Sequence, residues 1–442
     1  MDNPAIRSRF SFANFLFIVV VIFSYVALWS STVFSRYRNA ELYSTFQVSF
    51  EEVVSNTNVL ATQISLIVVF AGIYLIIITN LKSIFNNKRN IFYVVMITLI
   101  PYLLLKSDDP LSYLTSLSNG SVQLGPYTVV GIALFFYAYN PRNWHSIEKA
   151  IRILTILSIL TAFYGLAQYY AFFSQLGMTS RVVALKWLWT STICLQFTLI
   201  YWLYWGSKKT KKKKSAFMTV TLLILFQYLL ALLTEMRLVL VITTIGILLY
   251  LYKTGKIKRV FMVGITLIAI AAWLVVYLLS KSGFLLPPTN LINNAINGFL
   301  IRFSADTRSA DLKEFIDFVI GDFFSFFPVG YGYSQSVDFI VDSGILNTLF
   351  MTGPIMLLMA YMLLIRPALH LRKFKLSPEE AWIWVIAVMW ILRFFTSSTM
   401  VFNTEFLIFI IVAGRSAWIL DDKIKRDKYN KINAVQSEQT AT

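Results

Sequence analysis

Six basic residues map to the predicted outer loop, to an outer turn or to the outer half of a membrane span, where the membrane topology gives no reason for positive charge. They are Arg181, Lys186, Arg237, Arg302, Arg308 and Arg393. An Arg or Lys in the middle of a membrane span costs on the order of 2.5 to 3.5 kcal/mol, so it usually faces a polar cavity or a partner. Snorkelling of the long side chain to the membrane surface is the alternative. Guanidinium groups converging from separate helices suit a phosphate or diphosphate, which they bind through paired hydrogen bonds.

Arg237 is the most informative of the six, because the apolar stretch around it is short. Residues 216–252 number 37, whereas two membrane spans need about 40 residues before any loop is added. The turn that carries Glu235 and Arg237 is therefore predicted to lie at or below the outer surface. A structural ion pair between these two residues is the alternative. Arg393, seven residues before the predicted end of its helix, lies at a similar depth.

Carboxylates are the candidates for acid and base chemistry on this outer side. The two histidines, His145 and His370, fall in loops on the opposite, cytoplasmic side, so neither is placed for acid, base or metal chemistry outside. The outer base is therefore predicted to be a carboxylate. A transition-metal site is not predicted, because the outer carboxylates form no evident cluster of three. The candidates are Glu235, Asp306, Asp342 and Glu405.

Apolar helices are the elements that must position these side chains. Of the 442 residues, 57% are hydrophobic and 14% are charged, compared with about a quarter charged in an ordinary soluble domain. Unbroken apolar runs such as FLFIVVVIF lack the alternation of a barrel strand, so an all-α integral membrane protein with about 12 transmembrane helices is predicted. The predicted spans are 11–34, 58–80, 90–105, 123–139, 152–174, 182–206, 216–235, 237–252, 260–281, 345–365, 381–400 and 403–420.

Basic residues also give the predicted orientation. With the N-terminus inside, the cytoplasmic segments contain 27 of the 39 Lys and Arg residues, as the positive-inside rule requires. Both termini are then cytoplasmic. The tract KKTKKKK at 208–214 is interpreted as a topology signal on a solvated loop, in preference to nucleic-acid binding. No Gly-rich phosphate loop with a following Lys and Ser or Thr occurs, which argues against ATP-driven transport by this chain alone.

Residues 282–344 form the one long connection between predicted spans, and they fall on the outer side. Within them, SADTRSADLKEFIDFVIGDFF places apolar and charged residues on opposite faces of a helix. Ser309 is predicted to cap this amphipathic helix, and Gly321 to weaken its far end. Such a helix would lie along the membrane interface, where it either gates a substrate or covers the bundle.

The stretch from about Leu230 to Ile365 resembles the O-antigen polymerase and ligase family, the Wzy-like bacterial membrane glycosyltransferases. The resemblance begins at LTEMRLVLVITTIGILLYLYKTGK, with its Arg at an outer turn between two helices, and continues into a large outer loop with further arginines. It closes on PVGYGYSQSVDFIVDSGILNTLFMTGP. Ligases of the family commonly have a His-Asn pair after the loop, whereas this chain has Asp342-Ser343-Gly344. That departure is more similar to the polymerases.

This resemblance implies a GT-C-like membrane glycosyltransferase of the bacterial cytoplasmic membrane, acting outside without a cofactor or metal. Its substrate would be a polyprenyl-diphosphate-linked oligosaccharide, and a chain-length regulator protein would be a further partner. Arg237, Arg302, Arg308 and Arg393 would bind the diphosphate. Asp342 would orient or deprotonate the acceptor hydroxyl, and Glu235 would hold Arg237 or serve as the base.

The corresponding domain organisation has four parts. N-terminal transmembrane helices occupy 1–229, and a Wzy-like core with the outer catalytic loop 282–344 occupies 230–365. C-terminal transmembrane helices follow at 366–420, before a cytoplasmic tail at 421–442.

Three other functions remain as alternatives. An O-antigen ligase would move glycan to a different acceptor, such as lipid A core. A lipid-linked oligosaccharide flippase or another secondary transporter would also need cations that face a cavity. A structural scaffold is the weakest alternative, because it gives no reason for Arg at membrane depth.

Overall fold

The computed structural model describes residues 12–33, 64, 67–68, 70–78, 124–176, 181–208, 213–234, 236–255, 317, 321, 345, 349, 353–354, 357–358, 361–396 and 404–441. Within these residues the structure is helical and contains no strand. The helices are α1 (Phe12–Val33), α2 (Leu124–Tyr139), α3 (Trp144–Leu176), α4 (Arg181–Lys208), α5 (Lys213–Leu233), α6 (Arg237–Lys253), α7 (Arg366–Leu371), α8 (Pro378–Thr396) and α9 (Thr404–Ala441). A 3-10 turn at Pro141–Asn143 precedes α3, and a π-helical turn at Tyr361–Ile365 precedes α7.

Three helical segments in the described part are long and apolar enough to cross a membrane: Phe12–Ser30, Pro141–Ala171 and Ser215–Leu233. Large apolar side chains such as Leu160, Phe163 and Met218 lie exposed on the outside of the bundle. A water-soluble surface rarely carries so much exposed apolar area. The protein is therefore an all-α membrane protein.

Where the structure describes them, the predicted helices lie close to their predicted bounds, except at two boundaries, which were wrong. α3 begins eight residues before the predicted 152, because Asn140 caps the 3-10 turn and the chain enters the helix directly. α9 continues far beyond the predicted end at 420, since no Gly or Pro interrupts residues 415–441. The predicted tail at 421–442 is therefore mostly a helical extension of α9.

Other predicted elements lie largely outside the described residues. These are the spans 90–105 and 260–281, most of 58–80 and 345–365, and the outer loop 282–344. Asp317 and Gly321 of the predicted amphipathic helix are described, and both are helical.

Most of the described Lys and Arg residues lie on helix ends at one end of the bundle. We name this end the basic end. The Lys208 ammonium lies 3.1 Å from the Glu379 carboxylate, and the Lys423 ammonium lies 3.0 Å from that of Glu380. Lys253 donates to the backbone carbonyl of Arg372 at 3.1 Å. The opposite end, named the far end, contains the turn between α5 and α6 and the C-terminus of α8.

Helix α4 lies at the centre of the bundle, in contact with α1, α3, α5, α6, α8 and α9. Residues 190–201 of α4 are buried on every face of the helix. Ser191 of α4 shares a hydrogen bond of 2.8 Å with Thr161 of α3, whose hydroxyl lies 2.7 Å from that of Tyr25 in α1. This chain of hydroxyls joins three helices inside the bundle.

Helices α3 and α4 cross closely at Gly165. A Cβ atom at Gly165 would lie 2.6 Å from the backbone oxygen of Trp187 and 2.7 Å from a methyl group of Leu188. Because the first obstacle is backbone, the two helices would have to move apart to accept any side chain.

We predict that Gly165→Ala lowers the stability of the protein by about 1 to 3 kcal/mol, since overpacking forces the α3–α4 contact open. Thermal unfolding in detergent or nanodiscs would measure the effect. Gly321→Ala is the matched control, because a Cβ there meets nothing within 4 Å and Ala favours a helix. Equal melting temperatures for the two variants would contradict the proposed close crossing.

Candidate functional site

A short connection joins two helices immediately before Arg237, at the far end of the bundle. α5 ends at Leu233 and α6 begins at Arg237. Thr234 is fully buried and donates its hydroxyl to the carbonyl of Leu230 at 2.8 Å. The backbone N–H of Met236 donates to the carbonyl of Ala231 at 2.9 Å. These polar groups of Thr234 and Met236 are thus satisfied by the last turn of α5.

Helices α6 and α8 pack against each other and run in opposite directions. At the basic end, the Lys253 ammonium lies 4.9 Å from the ring centre of Trp384. Two turns farther along, Gly246 faces the side chain of Met389 so closely that a Cβ at Gly246 would overlap its sulfur. These two pairs fix the register between the helices.

This register places Arg393 level with about Ile242 of α6. The N-terminus of α6 at Arg237 is then only about five residues, or roughly 7.5 Å along the axis, farther toward the far end. Two positions predicted to bind a diphosphate therefore belong to neighbouring helices at the same end of the bundle. The structure does not describe the side chain of Arg237.

Arg393 itself is buried, with 3% of its surface exposed. Arg393 lies in the last described turn of α8, and residues 397–400 of the predicted span 381–400 lie outside the described residues. Trp390 and Phe394, which lie on either side of Arg393 in sequence, stack on each other. Trp390 also stacks on Phe409 of α9, with ring centres 3.5 Å apart.

The other predicted site residues lie wholly or partly outside the described structure. Glu235, Arg302, Arg308, Asp306 and Asp342 lie outside the described residues. The helical backbone at Arg181, Lys186 and Glu405 is described, but their side chains are not. In the described part of the chain, no group of three His, Cys, Asp or Glu residues could hold a metal ion.

Sequence reasoning missed a hydrogen-bonded cluster at the basic end that is formed by Glu379, Tyr204 and Lys208. Glu379 accepts a hydrogen bond of 2.7 Å from the Tyr204 hydroxyl and one of 3.1 Å from the Lys208 ammonium. Partial burial acts to raise the pKa of Glu379. The hydrogen bonds from Tyr204 and Lys208 and the charge of Lys208 outweigh it, so the pKa lies below its ordinary value.

Arg415 was also missed, although an Arg within the apolar span 403–420 was a visible signal. Its guanidinium carbon lies 4.6 Å from the ring centre of Trp144 and 4.2 Å from that of Trp418. One guanidinium nitrogen donates to the backbone carbonyl of Asn140 at 3.4 Å. Cation–π contacts on two rings partly replace lost hydration, so this buried charge ties α9 to the start of α3. Its geometry is that of a structural contact.

Comparison with known proteins adds no relative, since no protein-family model, curated protein or solved structure matches this chain.

We predict that Glu379→Gln makes the thermal stability less dependent on pH. The folded-state pKa of Glu379 is lowered from an ordinary 4.5, so its stabilising contribution is present above that value and is lost as the pH falls through the folded pKa. Melting temperatures of the wild-type protein should therefore exceed those of the variant at neutral pH, and the difference should shrink below about pH 4. A difference that is constant with pH would contradict this assignment.

Proposed function

We propose that the protein is a polysaccharide polymerase of the bacterial cytoplasmic membrane, with about 12 spans in a GT-C-like arrangement. It would transfer glycan between polyprenyl-diphosphate-linked oligosaccharide repeats, of the O-antigen or capsule type, on the outer side. The far end of the bundle would then face outward and the basic end would face the cytoplasm, in agreement with the positive-inside rule.

The observation that carries this proposal is the register of α6 and α8. It brings the backbone of Arg237 to within roughly 7.5 Å of the buried Arg393 along the bundle axis, toward the end of the bundle away from the basic end. Charge at this level is not needed for topology and is costly in hydrocarbon. A diphosphate at the membrane surface would give both guanidinium groups an anion to bind through paired hydrogen bonds.

The chemistry would be a single displacement at the anomeric carbon. A sugar hydroxyl oxygen of one lipid-linked unit forms the new bond to the anomeric carbon of the other unit. The bond between that carbon and the diphosphate oxygen breaks at the same time. The diphosphate leaves with the electron pair, and the hydroxyl proton passes to a carboxylate, for which Asp342 is our candidate. Arg237 and Arg393, with Arg302 and Arg308, would neutralise the leaving group, and Glu235 would hold Arg237.

We predict that purified protein, given lipid-linked repeats and no nucleotide, produces a ladder of glycan lengths on a gel. Arg237→Ala should slow ladder formation on the order of 100-fold, because a donor to the developing charge is removed. Arg393→Lys keeps the charge but loses the paired donors, and should also slow the reaction.

Arg426→Ala is the matched control for these variants. The Arg426 side chain is 71% exposed and pairs with Asp422 in the extension of α9, so its loss should leave the ladder unchanged. An undiminished ladder for Arg237→Ala, or no ladder from active substrate, would refute the polymerase mechanism. Supplying both lipid A core and lipid-linked repeats as acceptors separates a polymerase from a ligase. A ligase would transfer glycan only to lipid A core, whereas a polymerase would extend the lipid-linked repeats.

A flippase or secondary transporter is the second candidate, and one specific observation favours it. The interior of the bundle is polar around α4, where Thr190, Ser191, Thr192, Gln196 and Thr198 are all buried. A transport pathway needs polar groups inside the bundle. We predict that reconstituted protein does not move labelled lipid-linked oligosaccharide between leaflets; movement without lengthening would favour the transporter instead.

A further inference from the structure

Arg415 is a buried cation whose protein contacts hold it in place but do not balance its charge. Only 5% of its surface is exposed. One guanidinium nitrogen, Nη1, donates to the Asn140 carbonyl at 3.4 Å, whereas the Nε–H group is buried and has no acceptor in the described structure. The rings of Trp144 and Trp418 contact the guanidinium group, but a ring is not a counter-ion. A buried charge without a hydrogen-bonded counter-ion is costly.

The carboxylates whose charge reaches Arg415 are already paired with other cations. They belong to Glu379, Glu380 and Asp422, and in the described part of the chain none of them forms an ion pair with Arg415. Their partners are Lys208 for Glu379, at 3.1 Å, Lys423 for Glu380, at 3.0 Å, and Arg426 for Asp422, at 2.9 Å. The positive charge of Arg415 is therefore left over after the local charges have been paired.

Two more buried donors belong to the same group of contacting side chains. The Trp144 ring, whose centre lies 4.6 Å from the Arg415 guanidinium carbon, lies 5.6 Å centre to centre from the Trp382 ring. The indole N–H groups of Trp144 and Trp382 are both buried and have no acceptor in the described structure. Arg415 of α9, Trp144 of α3 and Trp382 of α8 form what we name the Trp–Arg junction. It contains three unpartnered donors and one unbalanced positive charge.

The unpartnered groups of the Trp–Arg junction determine the kind of ligand that would complete it. Guanidinium and indole nitrogens donate hydrogen bonds and accept none. Water could accept from them, but its own hydrogens would then need acceptors. An anion accepts from all the donors and also balances the charge of Arg415. Because Trp382 is fully buried and Arg415 is 5% exposed, the ligand must be small, which favours a monatomic anion over the phosphate group of a lipid.

The surroundings of the junction favour the entry of an anion from the basic end. Trp144 is the first residue of α3, directly after the 3-10 turn at Pro141–Asn143. Arg142 in that turn is exposed to the outside of the protein. The N-terminus of a long helix carries partial positive charge, and a surface rich in Lys and Arg raises the local concentration of anions.

We propose that the Trp–Arg junction binds one small inorganic anion, of which chloride is the type. The Nε–H group of Arg415 and the indole N–H groups of Trp144 and Trp382 donate to it. The anion is the counter-ion of Arg415 and joins α3, α8 and α9 at the basic end. This site is separate from the glycan chemistry proposed at the far end, and its test needs no glycan substrate.

The test measures the melting temperature of the full chain in nanodiscs of zwitterionic lipid while chloride replaces gluconate at constant ionic strength. Gluconate is too large for a closed site of this kind, so it serves as the reference anion. A ligand that binds only the folded protein stabilises it by an amount that grows with the logarithm of its concentration above the Kd. The melting temperature of the wild-type protein should therefore rise with chloride in this way.

Three variants remove the proposed donors. Trp144→Phe and Trp382→Phe keep an aromatic ring and lose only the N–H group, so each should raise the chloride concentration needed for a given stabilisation about tenfold. Arg415→Met, an apolar side chain of similar length, should abolish the chloride dependence. Arg415→Lys keeps the charge and loses the Nε–H group, and it replaces Arg415→Met if that variant does not fold.

Trp418→Phe is the matched control. Trp418 also contacts the Arg415 guanidinium group, at 4.2 Å from its carbon, but its N–H group is not one of the buried unpartnered donors. The change weakens the contact with the cation and lowers the melting temperature slightly, while the chloride dependence stays as in the wild-type protein. A loss of packing at Arg415 is thereby distinguished from a loss of anion binding.

Equal melting temperatures in chloride and gluconate would overturn the proposal, because the junction would then bind no small anion. A chloride effect that Trp144→Phe and Trp382→Phe leave unchanged would also overturn it, as a general effect of the salt. Nanodiscs that contain phosphatidylglycerol provide the third comparison. Stabilisation by this lipid without chloride, lost in Arg415→Met, would assign the junction to a lipid phosphate instead. None of these outcomes depends on whether the protein forms a glycan ladder.

Discussion

The architecture depends on one constraint: polar groups inside a membrane bundle must find partners within the protein, because hydrocarbon supplies none. Helix α4 shows the consequence, since it is buried on all sides and yet carries several polar side chains. Thr192 donates to the carbonyl of Leu188 at 2.8 Å, and Gln227 of α5 donates to the carbonyl of Thr192 at 2.9 Å. Thr161 and Ser191 join α3 to α4 in the same way. The surrounding helices are held to α4 by hydrogen bonds as well as by apolar packing.

Charged groups must also find partners within the protein, and fewer kinds of partner can compensate a charge. Most described Lys and Arg residues lie at the basic end, where Glu379, Glu380 or backbone carbonyls and water can receive them. Arg415 is deeper, and two Trp rings compensate for part of its lost hydration. Arg393 is buried toward the other end of the bundle, in the last described turn of α8. Its position about five residues from the N-terminus of α6 along the bundle axis gives the diphosphate hypothesis a location.

The helices and the tight turn could be predicted from the sequence because they follow from local properties. Apolar length indicates a span, and the shortness of residues 216–252 indicated that α5 and α6 must be joined by a very short turn. Boundaries failed where polar residues continued a helix beyond the apolar stretch, at Trp144 and after Leu420. Capping by Asn140 decided where α3 begins, and the lack of a helix-breaking residue let α9 continue. Hydropathy decided neither of these ends.

The sequence by itself determined that the protein is a membrane protein with a helical structure, and it predicted the depth of Arg237 and Arg393. Only the tertiary structure decided that Arg393 lies level with about Ile242 of α6 and that Glu379 accepts a hydrogen bond from Tyr204. The physical reason is that these contacts depend on register and rotation between helices. A helix such as α4, which is buried all round, has no polar face to mark which side meets which neighbour. That choice is made by close packing at positions such as Gly165 and Gly246.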